Sequence, residues 1–313
     1  MLLRRLKFLG WLAALLVIVL GGSYLFAPQW LMQANLTRQA MAAHMEKQAI
    51  QAGDTHWSYY EGGNGPTIVL LPGGFGTNKE TWLDTAKVLG AHFHLVMPDL
   101  PGWGESSRDD NGHYDIASQA SRFDAFVQAL NLQGFILVGH GTGGAVAAEY
   151  AAIHPEHVAA LALVDSSGLK GGHNAFDDDA ATGPFVFDDR AGYQRVATQL
   201  FVQPPDLPGR FIDVLVKRNR NDRSFIERQL ATQRDPAQSM AVQNRLGQLT
   251  MPVLGLWCHD DKVIDSSALD SLRNGLTAAS AISASTLNGC SHLPMVEKPE
   301  QTAQILTGFA LSH

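Results

Sequence analysis

The chain has 313 residues, with 23 basic and 30 acidic side chains and a formal net charge of −7. That balance argues against a nucleic-acid binder, which would carry a basic face. Apolar residues at 45% against charged residues at 17% exclude a disordered chain, and two cysteines exclude a disulfide-dense scaffold and an all-cysteine zinc site.

Arg4, Arg5 and Lys7 precede an uncharged run, and the next charged side chain is Arg38. Phe8 to Ala27 is almost wholly apolar. About 20 residues at 1.5 Å each make a helix of about 30 Å, enough to cross a bilayer, where backbone must bond to itself. Trp11 and Tyr24 stand near the ends of the run, where amphipathic rings prefer the interface. The basic flank predicts a cytoplasmic N-terminus. Residues 1–34 are therefore expected to be an uncleaved signal anchor, single-pass in the inner membrane, with the rest of the chain on the outer, periplasmic side. The alternative is a cleaved signal peptide, for which Ser23–Ala27 followed by Pro28 is a poor site.

Pro28 to Gln48 has a helical pattern, and residues 35–54 are expected to form a helix connecting the anchor to a globular domain at 55–313. In that domain apolar strand patterns alternate with helical ones. Strands are predicted at 55–60, 67–71, 93–97, 135–138, 160–164, 253–257 and 281–287. Helices are predicted at 80–90, 117–130, 145–153, 266–276 and 299–311, the second from the spacing of Phe123, Phe126, Val127 and Leu130. Such alternation means a mostly parallel sheet covered on both faces. It breaks between about 167 and 249, where polar, irregular sequence with shorter helical patterns at 194–202 and 210–216 predicts an insertion over the carboxyl edge of the sheet.

The strand at 135–138 runs into Gly139-His140-Gly141-Thr142-Gly143-Gly144 and then a helix. A strand, a tight turn of small residues and a helix make the context of a nucleophile elbow. Its central position is usually Ser; here it is Gly141. Three further stretches stand in order: Met97-Pro98-Asp99-Leu100-Pro101-Gly102-Trp103-Gly104, Leu256-Trp257-Cys258-His259-Asp260-Asp261-Lys262 and Gly289-Cys290-Ser291-His292-Leu293-Pro294. With these motifs the chain resembles the α/β-hydrolase superfamily. More narrowly it is similar to membrane-anchored bacterial lipases and esterases and their animal monoacylglycerol-lipase-like relatives.

The resemblance implies an eight-stranded, mostly parallel sheet with a helical cap. It places the family's acid on Asp261 and its base on His292, in the family's chain order. The oxyanion loop would be Leu71-Pro72-Gly73-Gly74-Phe75-Gly76, with Gly73 where the family usually has His. The backbone N–H groups of Phe75 and Thr142 would form the oxyanion hole. No metal or organic cofactor is implied. The expected ligand is a lipid or small acyl ester, met at a membrane surface through the N-terminal helix. Phe185, Val186, Phe187, Phe201 and Leu207 are candidate acyl contacts or plain packing residues. With no hydroxyl at Gly141, ester hydrolysis is expected to be absent or strongly reduced. The alternative is a non-catalytic hydrolase-fold protein that binds a lipid or a partner.

Other residues have plainer readings. Asp99 belongs to a structural turn, Asp260 faces solvent and Asp265 caps the helix near Ser266. Ser106, Ser166 and Ser167 are expected in turns and caps, and Thr142 should point away from the cleft. His140 should be a packed, hydrogen-bonded histidine facing the other side of its strand. Asp177-Asp178-Asp179 lacks a calcium-loop pattern, and His154 and His157, which flank Pro155 and Glu156, read as surface residues. Gly62-Gly63-Asn64-Gly65 lacks the Lys and helix of a phosphate loop. Cys258 and Cys290 follow strands expected to be neighbours, so a disulfide is open to an exported domain, with two buried thiols as the alternative.

Overall fold

The computed structural model describes residues 2–178 and 185–313, so Asp179 lies outside the described residues. The basic flank and most of the uncharged run form one helix, α1 (Leu2–Phe26), whose apolar side chains from Leu6 to Phe26 are largely exposed. Arg4–Phe26 is long and apolar enough to cross a membrane. Pro28 occupies the first turn of α2 (Pro28–Ala42), where its missing N–H costs nothing. The helix expected over 35–54 ends at Ala42. Met45–Ala52 is instead β1, paired antiparallel with β2 (Thr55–Gly62) from Met45↔Gly62 to Ala52↔Thr55. The composition of β1, rich in Glu, Lys, Gln and Ala, favours helix, and pairing along the edge of a sheet overrides it.

The next strands are β3 (Thr67–Leu71), β4 (His94–Pro98), β5 (Phe135–His140), β6 (Val158–Val164), β7 (Val253–Cys258) and β8 (Ile282–Leu287). The sheet order is β1-β2-β4-β3-β5-β6-β7-β8. β2 is antiparallel to both of its neighbours, and β4 through β8 run parallel. Strand alternation divides the core into two layers. In β3, Val69 and Leu71 face one apolar cluster with Phe123, Phe126 and Tyr150, while Ile68 and Leu70 face another with Trp82, Leu95 and Leu306. Helices α3 (Leu83–Leu89), α4 (Ile116–Ala129) and α5 (Gly141–Ile153) cross between strands. Asp115 caps α4 by accepting from the Ser118 N–H at 3.0 Å.

The segment between β6 and β7 is helical: α6 (Arg190–Leu200), α7 (Gly209–Arg234), α8 (Pro236–Ser239) and α9 (Ala241–Arg245). The expected pattern at 210–216 is only the first part of α7. Its later stretch, Lys217–Arg223, is so polar that apolar spacing lapses. Tyr24 at the end of α1 meets Phe211 of α7, with ring centroids 5.9 Å apart. The chain closes with α10 (Ala268–Gly275), β8, α11 (Pro294–Glu297) and α12 (Pro299–Leu311).

Two devices tie loops to this frame. Lys79 is fully buried and donates to Asp99 at 2.6 Å and to Glu105 at 2.7 Å. Asp99 also accepts from the Lys79 and Glu105 N–H groups. This is the structural turn expected of Asp99, and Lys79 is its partner. The second device is a disulfide between Cys258 and Cys290, with Cα atoms 5.4 Å apart.

Burial alone would raise the Glu105 carboxyl, but hydrogen bonds from Lys47 and Lys79 outweigh it and hold the group at about 2, against an ordinary 4.5. A depressed carboxylate stabilises the fold fully above its unfolded pKa and loses that contribution as pH falls through its folded pKa. Melting temperature should therefore decline between pH 4.5 and 2 less steeply in a Glu105→Gln variant than in the parent, as thermal melts across that window would show. Replacing Cys258 and Cys290 together by Ser should cost about 4 kcal/mol, from the closed loop of 32 residues, measured by urea unfolding beside the oxidised parent.

Candidate active site

Leu71, His140, Val164, Cys258 and Leu287 end their strands at the same edge of the sheet, so the loops that follow them converge. The turn after β5 is the tightest. A Cβ at Gly139 would collide with the backbone of Gly143 and Gly144, and one at Gly143 with the carbonyl of Pro72. Gly141 differs. Its φ is +52°, a left-handed conformation, but a Cβ there would lie 3.3 Å from Gly73 Cα and 3.5 Å from His292 Nε2. The space is tight but open, and it faces the imidazole. An oxygen one bond further out would fall within hydrogen-bonding reach of Nε2.

His292 sits in the loop after β8, 4% exposed, and its Nδ1 is 3.0 Å from Asp261 Oδ2. The other oxygen of Asp261 accepts from the Val263 N–H at 2.7 Å and the Ile264 N–H at 3.1 Å. Those bonds orient the carboxylate toward the imidazole. A carboxylate on Nδ1 fixes the tautomer with Nδ1 protonated, leaving Nε2 as the acceptor that faces Gly141. The structure thus brings together Gly141, His292 and Asp261. The disulfide joins the strand end three residues before Asp261 to the loop two residues before His292.

Asp165, at the end of β6, is a site residue that sequence reasoning missed. It is fully buried with φ +41°, and its Oδ1 accepts from the Cys258 N–H at 2.8 Å. Burial, then the neighbouring Asp261 charge, push its carboxyl well above the ordinary range. That direction favours its neutral form beside the Asp261 carboxylate. The signal was present as a charged residue ending an apolar strand, but nothing in sequence places it beside Asp261.

His140 corrects an expectation. Its ring does not turn away from the site. Nε2 donates to the His292 carbonyl at 2.7 Å, and the two rings lie 4.7 Å apart. A Cβ on Gly73 would come within 2.6 Å of His140 Nδ1, so His140 occupies the space that a larger residue at Gly73 would need. Burial, then His292, lower its pKa well below the ordinary value, and it stays neutral.

Phe75 is in the left-handed region at φ +49°, and Thr142 is in the first turn of α5. Among the described residues neither N–H donates to another protein group. The Thr142 side chain is buried, with its Oγ1 unpartnered. Phe75 anchors an aromatic wall, with centroids 5.0 Å from Trp103, 5.3 Å from Phe176 and 4.8 Å from Phe185. Phe225 of α7 continues it, 5.0 Å from Trp103. Of the candidate acyl contacts, Phe185 and Val186 join the core cluster that contains Phe75. Phe187 and Leu207 pack instead with Tyr193 and Val216, and Phe201 lies against the opposite core layer.

The remaining candidates have local partners. Ser106 Oγ donates to the Asp99 carbonyl, Ser166 Oγ to the Ser167 carbonyl and Ser167 Oγ to the Gly141 carbonyl. Asp260 contacts His259, and Asp265 accepts from the Ser267 N–H at the start of α10.

Known proteins resemble the chain along most of its length. The chain is 26% identical to monoacylglycerol lipase ABHD6 of Rattus norvegicus over 97% of this chain and 93% of that one. It is 30% identical to Lipase 1 of Psychrobacter immobilis over 80% and 79%. The crystal structure of a membrane phospholipase A, described as a novel bacterial virulence factor, superposes with a TM-score of 0.86 at 32% identity, covering 98% of each chain. Residues 68–305, most of the chain, match the model described as the alpha/beta hydrolase family. With the sheet order and these relatives in agreement, the chain belongs to the alpha/beta hydrolase family.

Proposed function

We propose that this is a membrane-anchored hydrolase of the lipase and esterase lineage whose site lacks its nucleophile, so that ester hydrolysis in this form is absent or strongly reduced. One observation carries the proposal. Gly141 holds the left-handed turn conformation, and the Cβ it lacks would stand 3.5 Å from His292 Nε2. With a hydroxyl there, His292 would take its proton, Asp261 would steady the resulting imidazolium, and the N–H groups of Phe75 and Thr142 would hold the oxyanion. Without it, the acid–base pair has only water to activate.

The ligand is an acyl lipid or small acyl ester. The names of the lipase and phospholipase relatives support this class, as does the aromatic wall around Phe75. Helix α1 holds the domain at the inner membrane with the site on the periplasmic side, a reading supported by the Arg4-Arg5-Lys7 flank. A second reading, a lipid- or partner-binding protein without catalysis, is favoured by the same missing hydroxyl.

Hydrolysis of p-nitrophenyl butyrate and octanoate by the full chain in detergent, beside its Gly141→Ser variant, separates these readings. The variant is expected to turn over, with the parent slower by about 10⁶-fold, the loss typical of removing a serine nucleophile. Equal rates would mean that a group other than residue 141 attacks the ester. Two inactive proteins would favour binding alone. The same substitution places a Cβ at φ +52° and should lower stability by about 1 kcal/mol in thermal melts. A clear rise in melting temperature would contradict the assignment of the elbow.

A further inference from the structure

Helix α5 carries the elbow at its N-terminus, and its 13 residues put its C-terminus about 20 Å away at 1.5 Å per residue. At that far end the His154 N–H bonds the Tyr150 carbonyl, and the His157 N–H returns to the His154 carbonyl at 3.1 Å. Pro155, second in this turn, stiffens it. The two imidazoles stand parallel, 5° apart in plane and 5.5 Å between centroids.

Asp124 of α4 faces them. Its Oδ2 accepts from Gln128 at 2.6 Å. Its Oδ1 lies 3.7 Å from His154 Nε2, is buried, and has no hydrogen-bond partner among the described residues. Tyr150 Oη bonds His157 Nδ1 at 2.7 Å, which leaves Nε2 of that ring as the free nitrogen. Glu156 Oε1 stands 3.8 Å from this Nε2 and 3.6 Å from His154 Nδ1.

We propose that Asp124, His154 and His157 bind a divalent transition-metal ion of the zinc class. One donor atom from each already lies within 4.8 Å of the others. Tetrahedral zinc needs ligand atoms about 2 Å from the ion and so about 3.3 Å from each other, a closure that small side-chain rotations supply. Two imidazoles with one carboxylate select zinc, copper or nickel over calcium or magnesium. The ion would satisfy the orphaned Asp124 oxygen and sit at the negative end of the α5 dipole. Tyr150 acts as the outer partner that orients His157. Glu156 or water completes the coordination. The simpler arrangement is His154 beside Asp124 with no metal.

The test is equilibrium dialysis of the EDTA-stripped, untagged full chain in detergent against Zn²⁺, with bound metal counted by atomic absorption. The expected result is one zinc per chain at micromolar free zinc, undisturbed by millimolar Mg²⁺. Joint His154→Ala and His157→Ala substitution should abolish it. Tyr150→Phe should weaken it by about 10- to 100-fold. Asp124→Asn, which removes the ligand charge, should weaken it as well, and His92→Ala should leave it unchanged. Should the double substitution unfold the chain by circular dichroism, the Asp124→Asn and Tyr150→Phe titrations decide the matter alone. No stoichiometric binding below 1 mM zinc, or binding indifferent to these substitutions, overturns the proposal and leaves the plain ion pair.

Discussion

The turn from β5 into α5 is the constraint on which the site depends. Backbone passes so close to backbone there that Gly139 and Gly143 admit no side chain. Residue 141 is forced into the left-handed region, and its Cα–Cβ direction is thereby aimed across the sheet edge at His292. The neighbouring carbonyl at Gly141 is held by the Ser167 N–H at 3.0 Å, which ties the turn to the strand beside it. Glycine satisfies the dihedral requirement without strain, but it leaves unused the only direction in the turn that leads to the imidazole.

The side chains around Gly141 form one connected set of contacts. His292 is held from both sides: Asp261 fixes its tautomer and His140 binds its carbonyl. Asp261 is held in turn by two backbone N–H groups and by the disulfide that links its loop to that of His292, and its charge helps to raise the Asp165 carboxyl beside it. Buried polar groups in this number are costly unless each finds a partner. The set has a clear physical role if a hydroxyl at residue 141 is added, and a weaker one if the cleft only binds ligand.

Several elements were legible in the sequence because their signals are local. The charge-free run before Arg38, the buried parallel strands and the helix at 117–130 each carry their own periodicity. The site was legible only through motif order, since Gly141, Asp261 and His292 are far apart in the chain. The edge strand β1 was not legible, because polar helix-forming residues become a strand only when β2 is alongside. Most of α7 was hidden by polar sequence, and the partnership of Lys79 with Asp99 spans 20 positions.

The sequence by itself determined the alternation that specifies the sheet, the apolar length of α1, the small residues of the elbow and the absence of a hydroxyl at its centre. These follow from composition and spacing within a few residues of one another. Only the tertiary structure decided that Asp165 lies beside Asp261, that His140 supports His292 rather than turning away, and that Cys258 joins Cys290. It also decided that Asp124 meets the His154–His157 turn. Each of these is a contact between elements brought together by strand order and helix crossing, and a linear pattern carries no term for such distances.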